Sequence, residues 1–354
     1  MGSKRVGVIG GGITGLAAAW DLTQAGAAPV VLESAPRTGG VIVTERRDGF
    51  ILEGGPDGFL ATEQDVQGLA REVGIGDRLV DQLAKGSFVW TGTRLESLGT
   101  GEAAALLGIE GQAEGALSKG FRSFAGGMGE IVEAAVARLG ATVRTGCGVA
   151  SLRVVDRGYQ ARLTSGETVE FDGMICAGPA WVTARLVTGL GVQPARELEK
   201  VPYYPSLTVS LAYRTEDVGA QLEGTGFVSK PGVGGALRAC TYASLKYPGR
   251  APAGFLLLRA FLSPVEGDAA TAAHAELSPI LAISGAPAWT RVFHWGRGLP
   301  RYQPNHGVQV AAIREQLAAH PPLAIAGAGI DGTGVSACVA SGRAAARAIL
   351  QRLG

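Results

Sequence analysis

Gly10-Gly11-Gly12-Ile13-Thr14-Gly15 follows a short apolar run, Arg5 to Ile9, and opens a segment of helix-forming composition, Leu16-Ala17-Ala18-Ala19-Trp20-Asp21-Leu22. A second apolar run, Ala28-Pro29-Val30-Val31-Leu32, comes next and ends at Glu33. Strand, glycine turn, helix and strand in this order read as a β-α-β unit whose two strands are parallel neighbours in a buried sheet. In such a turn the first glycine permits the tight bend, the second admits a pyrophosphate to the backbone, and the third lets helix and strand pack closely. The helix N-terminus adds unpaired N–H groups and the positive end of a dipole. Glu33 lies 18 positions after Gly15. A carboxylate there can accept hydrogen bonds from both ribose hydroxyls and would repel a 2′-phosphate.

NAD and FAD share this unit, and the next stretch of chain separates them. Pro36-Arg37-Thr38-Gly39-Gly40 gives an arginine and a glycine pair that can run along the far side of an extended dinucleotide, and Glu53-Gly54-Gly55-Pro56-Asp57-Gly58 gives a further turn that can meet the flavin end. A surface turn is the alternative for either taken singly. Much later, Leu323-Ala324-Ile325-Ala326-Gly327 leads through Ala328-Gly329-Ile330-Asp331-Gly332-Thr333-Gly334-Val335 into a helix expected from about Ser336 to Leu350. The first amides of that helix can point at the flavin pyrimidine ring and stabilise the negative charge it gains on reduction. Gly10 and Gly329 lie 319 positions apart. One long cofactor, FAD, accounts for both turns.

Length and charge bound the rest. At 354 residues the chain suits two interleaved domains. With 32 Lys and Arg against 31 Asp and Glu, no global field favours nucleic acid or an anionic membrane. The 55 glycines cluster between apolar runs and read as turns and close backbone approaches. Cys147, Cys176, Cys240 and Cys338 have no metal-ligand spacing and read as buried thiols, so no metal is expected. Lys4 and Arg5 lead straight into Val6-Gly7-Val8-Ile9 without an export signal, and no window offers about 18 continuous apolar residues. A cytoplasmic protein without a spanning helix is expected.

Along the chain, Thr62 to Val73 has helical periodicity, and Phe88-Val89-Trp90 with Thr93-Arg94-Leu95 reads as a hairpin. Residues 99–120 read as a connector with at most one short helix around Glu102 to Leu107. Met128 to Leu139 reads as an amphipathic helix. Strands are expected at Thr142–Arg144, Val149–Val155, Tyr159–Thr164 and Thr168–Phe171, and then Gly173-Met174-Ile175-Cys176-Ala177 closes the first sheet. Runs such as Thr208-Val209-Ser210-Leu211-Ala212-Tyr213 and Phe255 to Phe261 predict a second, mostly antiparallel sheet. The expected class is α/β: a Rossmann-like FAD-binding domain (1–60, 121–185, 311–354) interleaved with an α+β substrate domain (61–120, 186–310).

On these motifs, together with Phe124-Ala125-Gly126-Gly127-Met128 and Ala177-Gly178-Pro179-Ala180, the chain resembles the FAD-dependent protoporphyrinogen and coproporphyrinogen oxidases of haem synthesis, within the wider amine oxidase and phytoene desaturase superfamily. The resemblance runs nearly end to end. It implies that Gly10, Gly12, Ile13, Thr14, Gly15, Glu33, Ser34, Arg37, Gly39, Gly40, Val41, Gly55, Pro56, Asp57, Val149, Ala177, Ala328, Gly329, Gly334 and Val335 hold FAD. Trp295, in a segment similar to one that lines the flavin in that superfamily, is a further neighbour. It implies a tetrapyrrole pocket at Thr225, Gly226, Val228 and Phe261, for which ordinary strand and turn packing is the alternative. The implied reaction moves a hydride from a porphyrinogen carbon to the flavin and both electrons on to dioxygen, repeated to remove six electrons, with no side chain needed as a general base.

Two departures qualify the resemblance. The family carries a helical, membrane-associating domain where this chain has only residues 99–120, and several members have an arginine for a substrate propionate where this chain has Ser87. Lys85 and Arg94 are candidate replacements, with a solvated surface charge as the alternative for each. His274, His294, His306 and His320 stand apart from nucleophile or metal motifs and read as surface or structural. Two rival readings stay open: an oxidase of amines or polyenes, and a non-catalytic flavin- or porphyrin-binding protein.

Overall fold

The computed structural model describes residues 2–106 and 114–354, and among these residues twenty strands and ten α-helices are numbered along the chain. The first sheet is wholly parallel. It contains β1 (Arg5–Ile9), β2 (Ala28–Leu32), β10 (Val143–Arg144), β14 (Gly173–Cys176) and β20 (Leu323–Ile325), in the order β10-β2-β1-β14-β20. Val6, Val8, Ile9, Met174, Ile175 and Cys176 are all buried, with no alternation, because helices or strands cover both faces. On one side lie α1 (Ile13–Gln24), α2 (Gln64–Glu72), α5 (Gly129–Leu139) and α10 (Val335–Leu353), contributing Leu16, Val66, Ile131 and Val339 to one core. The other side is covered by the antiparallel sheet of β11 (Val149–Val155), β12 (Gly158–Leu163) and β13 (Thr168–Phe171), with α6 (Ala180–Thr188) and α9 (His306–Leu317).

Gly173–Cys176 does not close the first sheet as its sequence suggested. It is interior, and β20 forms the edge beyond it. An apolar run marks a strand as buried but carries no information on which neighbour arrives later.

The second sheet has the order β19-β15-β18-β17-β16-β7-β8, comprising β7 (Ser87–Trp90), β8 (Leu95–Leu98), β15 (Tyr203–Arg214), β16 (Gly226–Ser229), β17 (Leu237–Tyr242), β18 (Phe255–Leu262) and β19 (Trp289–Pro300). Every pairing is antiparallel except β16 with β7. Val209, Leu211, Tyr213, Leu258, Ala260 and Leu262 face α8 (Ala269–Leu281). Strand alternation therefore turns Thr208, Ser210 and Ala212 of β15 and Leu257, Arg259 and Phe261 of β18 to the opposite face. Neither α8 nor α9 was anticipated from the sequence: both lack a strong apolar stripe, being respectively alanine-rich and evenly mixed.

Between the sheets run the hairpin β3 (Thr44–Arg47) with β4 (Phe50–Glu53), the small sheet β5 (Phe59–Leu60), β9 (Phe121–Phe124) and β6 (Leu79–Asp81), and the short helix α7 (Ala243–Lys246). The connector forms α3 (Glu102–Leu106) and α4 (Glu114–Leu117), while Leu107, included in the expected helix, lies outside the described residues. Ala103 of α3 packs with Leu98 and Phe261 against Val89, Val228 and Ala239. Among the described residues no helix is long and apolar enough to cross a membrane.

Candidate flavin site

Three turns converge at the ends of β1, β14 and β20. Gly10 has φ +113°, and a Cβ there would stand 2.9 Å from the Ala177 carbonyl oxygen; one on Gly327 would stand 3.7 Å from the same atom. A Cβ on Gly15 would lie 1.9 Å from the Gly10 oxygen, so α1 rests directly on the turn. On Gly12, which caps α1 in extended backbone, it would meet no atom within 4 Å. Gly10 and Gly15 thus set the shape of the turn, and Gly12 leaves free space in front of the helix N-terminus. This is a cradle that fits a dinucleotide diphosphate. The Ile13 and Thr14 side chains are buried in the core, leaving their amides at that helix end. The α10 helix closes on α1 so tightly that a Cβ on Gly342 would lie 2.2 Å from the Thr14 oxygen.

Glu33 is held ready at the end of β2. Its Oε2 accepts from the Gly11 amide at 2.7 Å, and its Oε1 from the Ala35 amide at 2.7 Å and the Ser34 hydroxyl at 3.2 Å. Val149 is buried at the start of β11, and its carbonyl accepts from Arg185 Nη2 at 3.3 Å.

The Pro36–Gly40 loop lies alongside the fingerprint: the Gly39 amide donates to Gly11 O at 2.8 Å, and Gly39 bridges Gly12 in parallel. Arg37 donates to Thr38 O at 3.0 Å and Gly40 O at 2.8 Å, and its guanidinium lies 5.9 Å from the centre of the Trp295 ring. Trp295 Nε1 in turn donates to Gly54 O at 2.7 Å. Val41 is exposed, and its carbonyl would stand 1.8 Å from a Cβ on Gly55. Arg37, Gly39, Gly40, Val41, Gly55 and Trp295 thereby form a strip leading from the cradle to the second sheet, with Pro56 following Gly55 in the chain.

At the other end, Ala328 O accepts from the Tyr302 hydroxyl, Tyr302 stacks on His306 with centroids 4.2 Å apart, and His306 Nε2 is 2.9 Å from Ile330 O. The Tyr203 hydroxyl accepts from the Ala180 amide at 3.0 Å and would stand 2.6 Å from a Cβ on Gly329. Gly334 then caps α10, whose first residue is Val335. Tyr203 and Ser341, whose hydroxyl accepts from the Gly327 amide at 2.9 Å, are supports that sequence reasoning missed, and His306, read as surface or structural, is a buried structural support. The i, i+4 spacing of Tyr302 and His306 across the start of α9 is the one local signal for them.

Asp57 is placed differently from the other predicted residues. Its carboxylate is paired with Lys246 Nζ at 2.9 Å, the side chains being 24% and 12% exposed. Burial opposes its ionisation, yet Lys246, Arg259 and Arg250 hold it below the usual carboxylate range. A depressed carboxylate pKa contributes stability above about pH 4 that is lost as pH falls through the folded value. Asp57→Asn, which strands a largely buried ammonium, should therefore destabilise the protein by about 2–4 kcal/mol at neutral pH. In urea titrations the gap from wild type should close on acidification; a gap independent of pH would show that the pair contributes nothing.

Of the predicted tetrapyrrole residues, Val228 and Phe261 share the cluster that Ala103 joins. Thr225 Oγ1 donates to Gly86 O at 3.0 Å and lies 3.2 Å from Ser87 Oγ, and Gly226 is pressed against β17, where a Cβ would stand 2.0 Å from Cys240 O. Lys85 is exposed, and Arg94, 77% exposed, pairs with Glu96 at 2.7 Å, so both are surface charges. Burial pushes the Cys176 thiol up to about 12 and Cys338 to about 11. Among the described residues no three His, Cys, Asp or Glu side chains are grouped to hold a metal. Two grooves, of about 720 Å³ beside α8 and about 620 Å³ between α9 and α10, contain none of the predicted site residues.

With this geometry in place, comparison with known proteins decides the family. The model of the flavin containing amine oxidoreductases matches residues 13–104 and 83–350. The chain belongs to this family. As a flavin containing amine oxidoreductase it is 25% identical to the coproporphyrinogen III oxidase of Bacillus subtilis, over 97% of each chain, and 22% identical to that of Staphylococcus aureus, over 99% of this chain and 100% of the relative. The Bacillus alignment spans 460 positions and takes in 97% of the 354 residues, about 343, so about 117 of its positions have no counterpart here. Its fold is shared with a provisionally named protoporphyrinogen oxidase from Exiguobacterium sp. 255-15 (TM-score 0.84, 23% identity, 99% and 100% coverage) and with putrescine oxidase bound to putrescine (TM-score 0.74, 16% identity, 99% of each chain).

Proposed function

We propose that this flavin oxidoreductase holds FAD in the cradle and oxidises a porphyrinogen, coproporphyrinogen III or protoporphyrinogen IX, to the porphyrin with dioxygen as final acceptor, in the cytoplasm. The observation that carries the FAD reading is the meeting of the Gly10, Ala177 and Gly327 turns, the outer two 317 positions apart, at the carboxyl ends of three neighbouring strands of the first sheet. The porphyrinogen reading is supported by the full-length relatives named coproporphyrinogen III oxidase.

Bound flavin would supply a hydride acceptor. The chain's own residues do the rest. The amides of α1 and the Glu33 carboxylate would receive the diphosphate and ribose, and Arg37, Gly40 and Val41 would line the path to the ring. The first amides of α10 would favour the charge the ring gains on reduction. The face carrying Val228 and Phe261 would exclude water and hold the substrate carbon in place, so orientation, not proton transfer from a side chain, is the protein's contribution.

Anaerobic mixing of the FAD-loaded protein with each porphyrinogen tests this directly. Flavin bleaching with rising porphyrin fluorescence is the expected result. Bleaching by amines alone would assign it to the amine oxidases, and tetrapyrrole binding without bleaching would make it a carrier.

A further inference from the structure

Three cations are buried where the two sheets approach each other, and two of them are fully accounted for. Arg250, 2% exposed, donates to Ala125 O, Phe124 O and Ser123 Oγ and stands 3.8 Å from Glu53. Lys246 holds Asp57 with both carboxylate oxygens, at 2.9 and 3.1 Å. Glu53 is already engaged by Thr44 Oγ1 at 2.7 Å and the Met128 amide at 2.8 Å, and burial pushes its carboxyl up towards the neutral form.

Arg259 is the third cation: it faces Asp57 and Glu53 electrostatically, but one of its donors is unused. It is 6% exposed, its Nε–H meets no acceptor, and Asp57 and Glu53, each already engaged by other donors, act on it without a direct ion pair among the described residues. A buried guanidinium with an unused donor is costly, and native proteins rarely keep one without a ligand for it. Its surroundings indicate what that ligand is. Arg259 opposes Ser210 and Thr241 across its strand pairs, and Thr208, one pair along on the same face, has a fully buried hydroxyl that is also without a partner. The guanidinium lies 4.8 Å from the centre of the Phe261 ring, and Phe261 continues into the apolar cluster of Val89, Val228 and Ala239. Charge and hydroxyl therefore sit at one end of an aromatic and aliphatic wall.

We propose that Arg259, assisted by the Thr208 hydroxyl, is the receptor for a carboxylate arm of the substrate, whose flat apolar body lies along Phe261 and Val228. The proposal rests on the porphyrinogen reading for the identity of that body. It places the acid recognition of this chain on β18, in place of the arginine absent at Ser87 and of the surface residues Lys85 and Arg94.

The test uses the full-length FAD-loaded protein, with coproporphyrinogen III and its tetramethyl ester as paired substrates. Arg259→Met should raise KM for the acid by about tenfold or more, with kcat much less affected and KM for the ester unchanged; Arg259→Lys should recover part of the loss. An equal loss with acid and ester, or an unchanged KM with a shifted flavin reduction potential in the substrate-free protein, would overturn the assignment. Should Arg259→Met not fold, Thr208→Val carries the same comparison, and a loss that ignores esterification again overturns it. Binding of coproporphyrin III and its ester, followed by Soret absorbance, separates this inference from the reaction. A wild type that binds the acid through Arg259 but turns over no porphyrinogen upholds the carboxylate site and rejects the oxidase. Turnover unaffected by Arg259→Met does the reverse.

Discussion

Gly12→Val should yield a protein that purifies without flavin yet unfolds at the same temperature as wild-type apoprotein. The backbone at Gly12 is extended, with φ −74°, and a Cβ there would find no protein atom within 4 Å. Nothing in the fold resists the substitution, so apoprotein stability should stay within about 0.5 kcal/mol. The isopropyl group instead fills the space in front of the α1 amides, where the diphosphate of the proposed FAD would meet the backbone. FAD affinity is expected to fall by at least about 100-fold, equivalent to about 2.8 kcal/mol. Reconstitution followed by absorbance, with calorimetry on the apoprotein, reads both quantities. Normal flavin uptake by Gly12→Val would place the cofactor elsewhere.

Gly15→Ala should have the opposite signature, with the apoprotein itself destabilised. The added methyl would stand 1.9 Å from Gly10 O, within the backbone of the turn, and only a shift of α1 away from β1 relieves the contact. That shift is opposed from behind, because α10 already touches α1 at Gly342. Overpacking of this kind costs about 3 kcal/mol, which for a chain of 354 residues corresponds to a melting temperature lower by roughly 4 °C. Flavin retention should fall too, since the turn that presents the amides has moved. An apoprotein that melts like wild type would mean that helix and turn are not in contact.

The first sheet was legible because its signals are local. The fingerprint at Gly10–Gly15, its helix and Glu33 lie within 24 residues, and β11 and β13 fall where the sequence placed them. Strand order was not legible: β14 lies inside the sheet because Leu323–Ile325 returns beyond it. Within the site, the glycines and Glu33 announce themselves through backbone chemistry. Two of the partners that fix the second half of the cradle do not, since Tyr203 and His306 act through single hydrogen bonds to Ala180 and Ile330. The pairing of Asp57 with Lys246 spans 189 positions and has no sequence signal at either residue. Arg259 was hidden in a different way, because within Phe255-Leu256-Leu257-Leu258-Arg259-Ala260-Phe261 it reads as one more residue of a core strand.

The place of β20 at the edge of the parallel sheet has a consequence for biosynthesis. Its neighbour β14 is apolar throughout, and until Leu323–Ile325 is available the outer rim of β14 is an unpaired template. The 146 residues between Cys176 and Leu323 emerge from a ribosome at roughly 5–20 per second, so the rim of β14 waits roughly 7–30 s for its last partner. During that interval the half-built nucleotide fold is exposed to misassociation. Cofactor capture is then an event of late translation or after it, never of the first β-α-β unit alone.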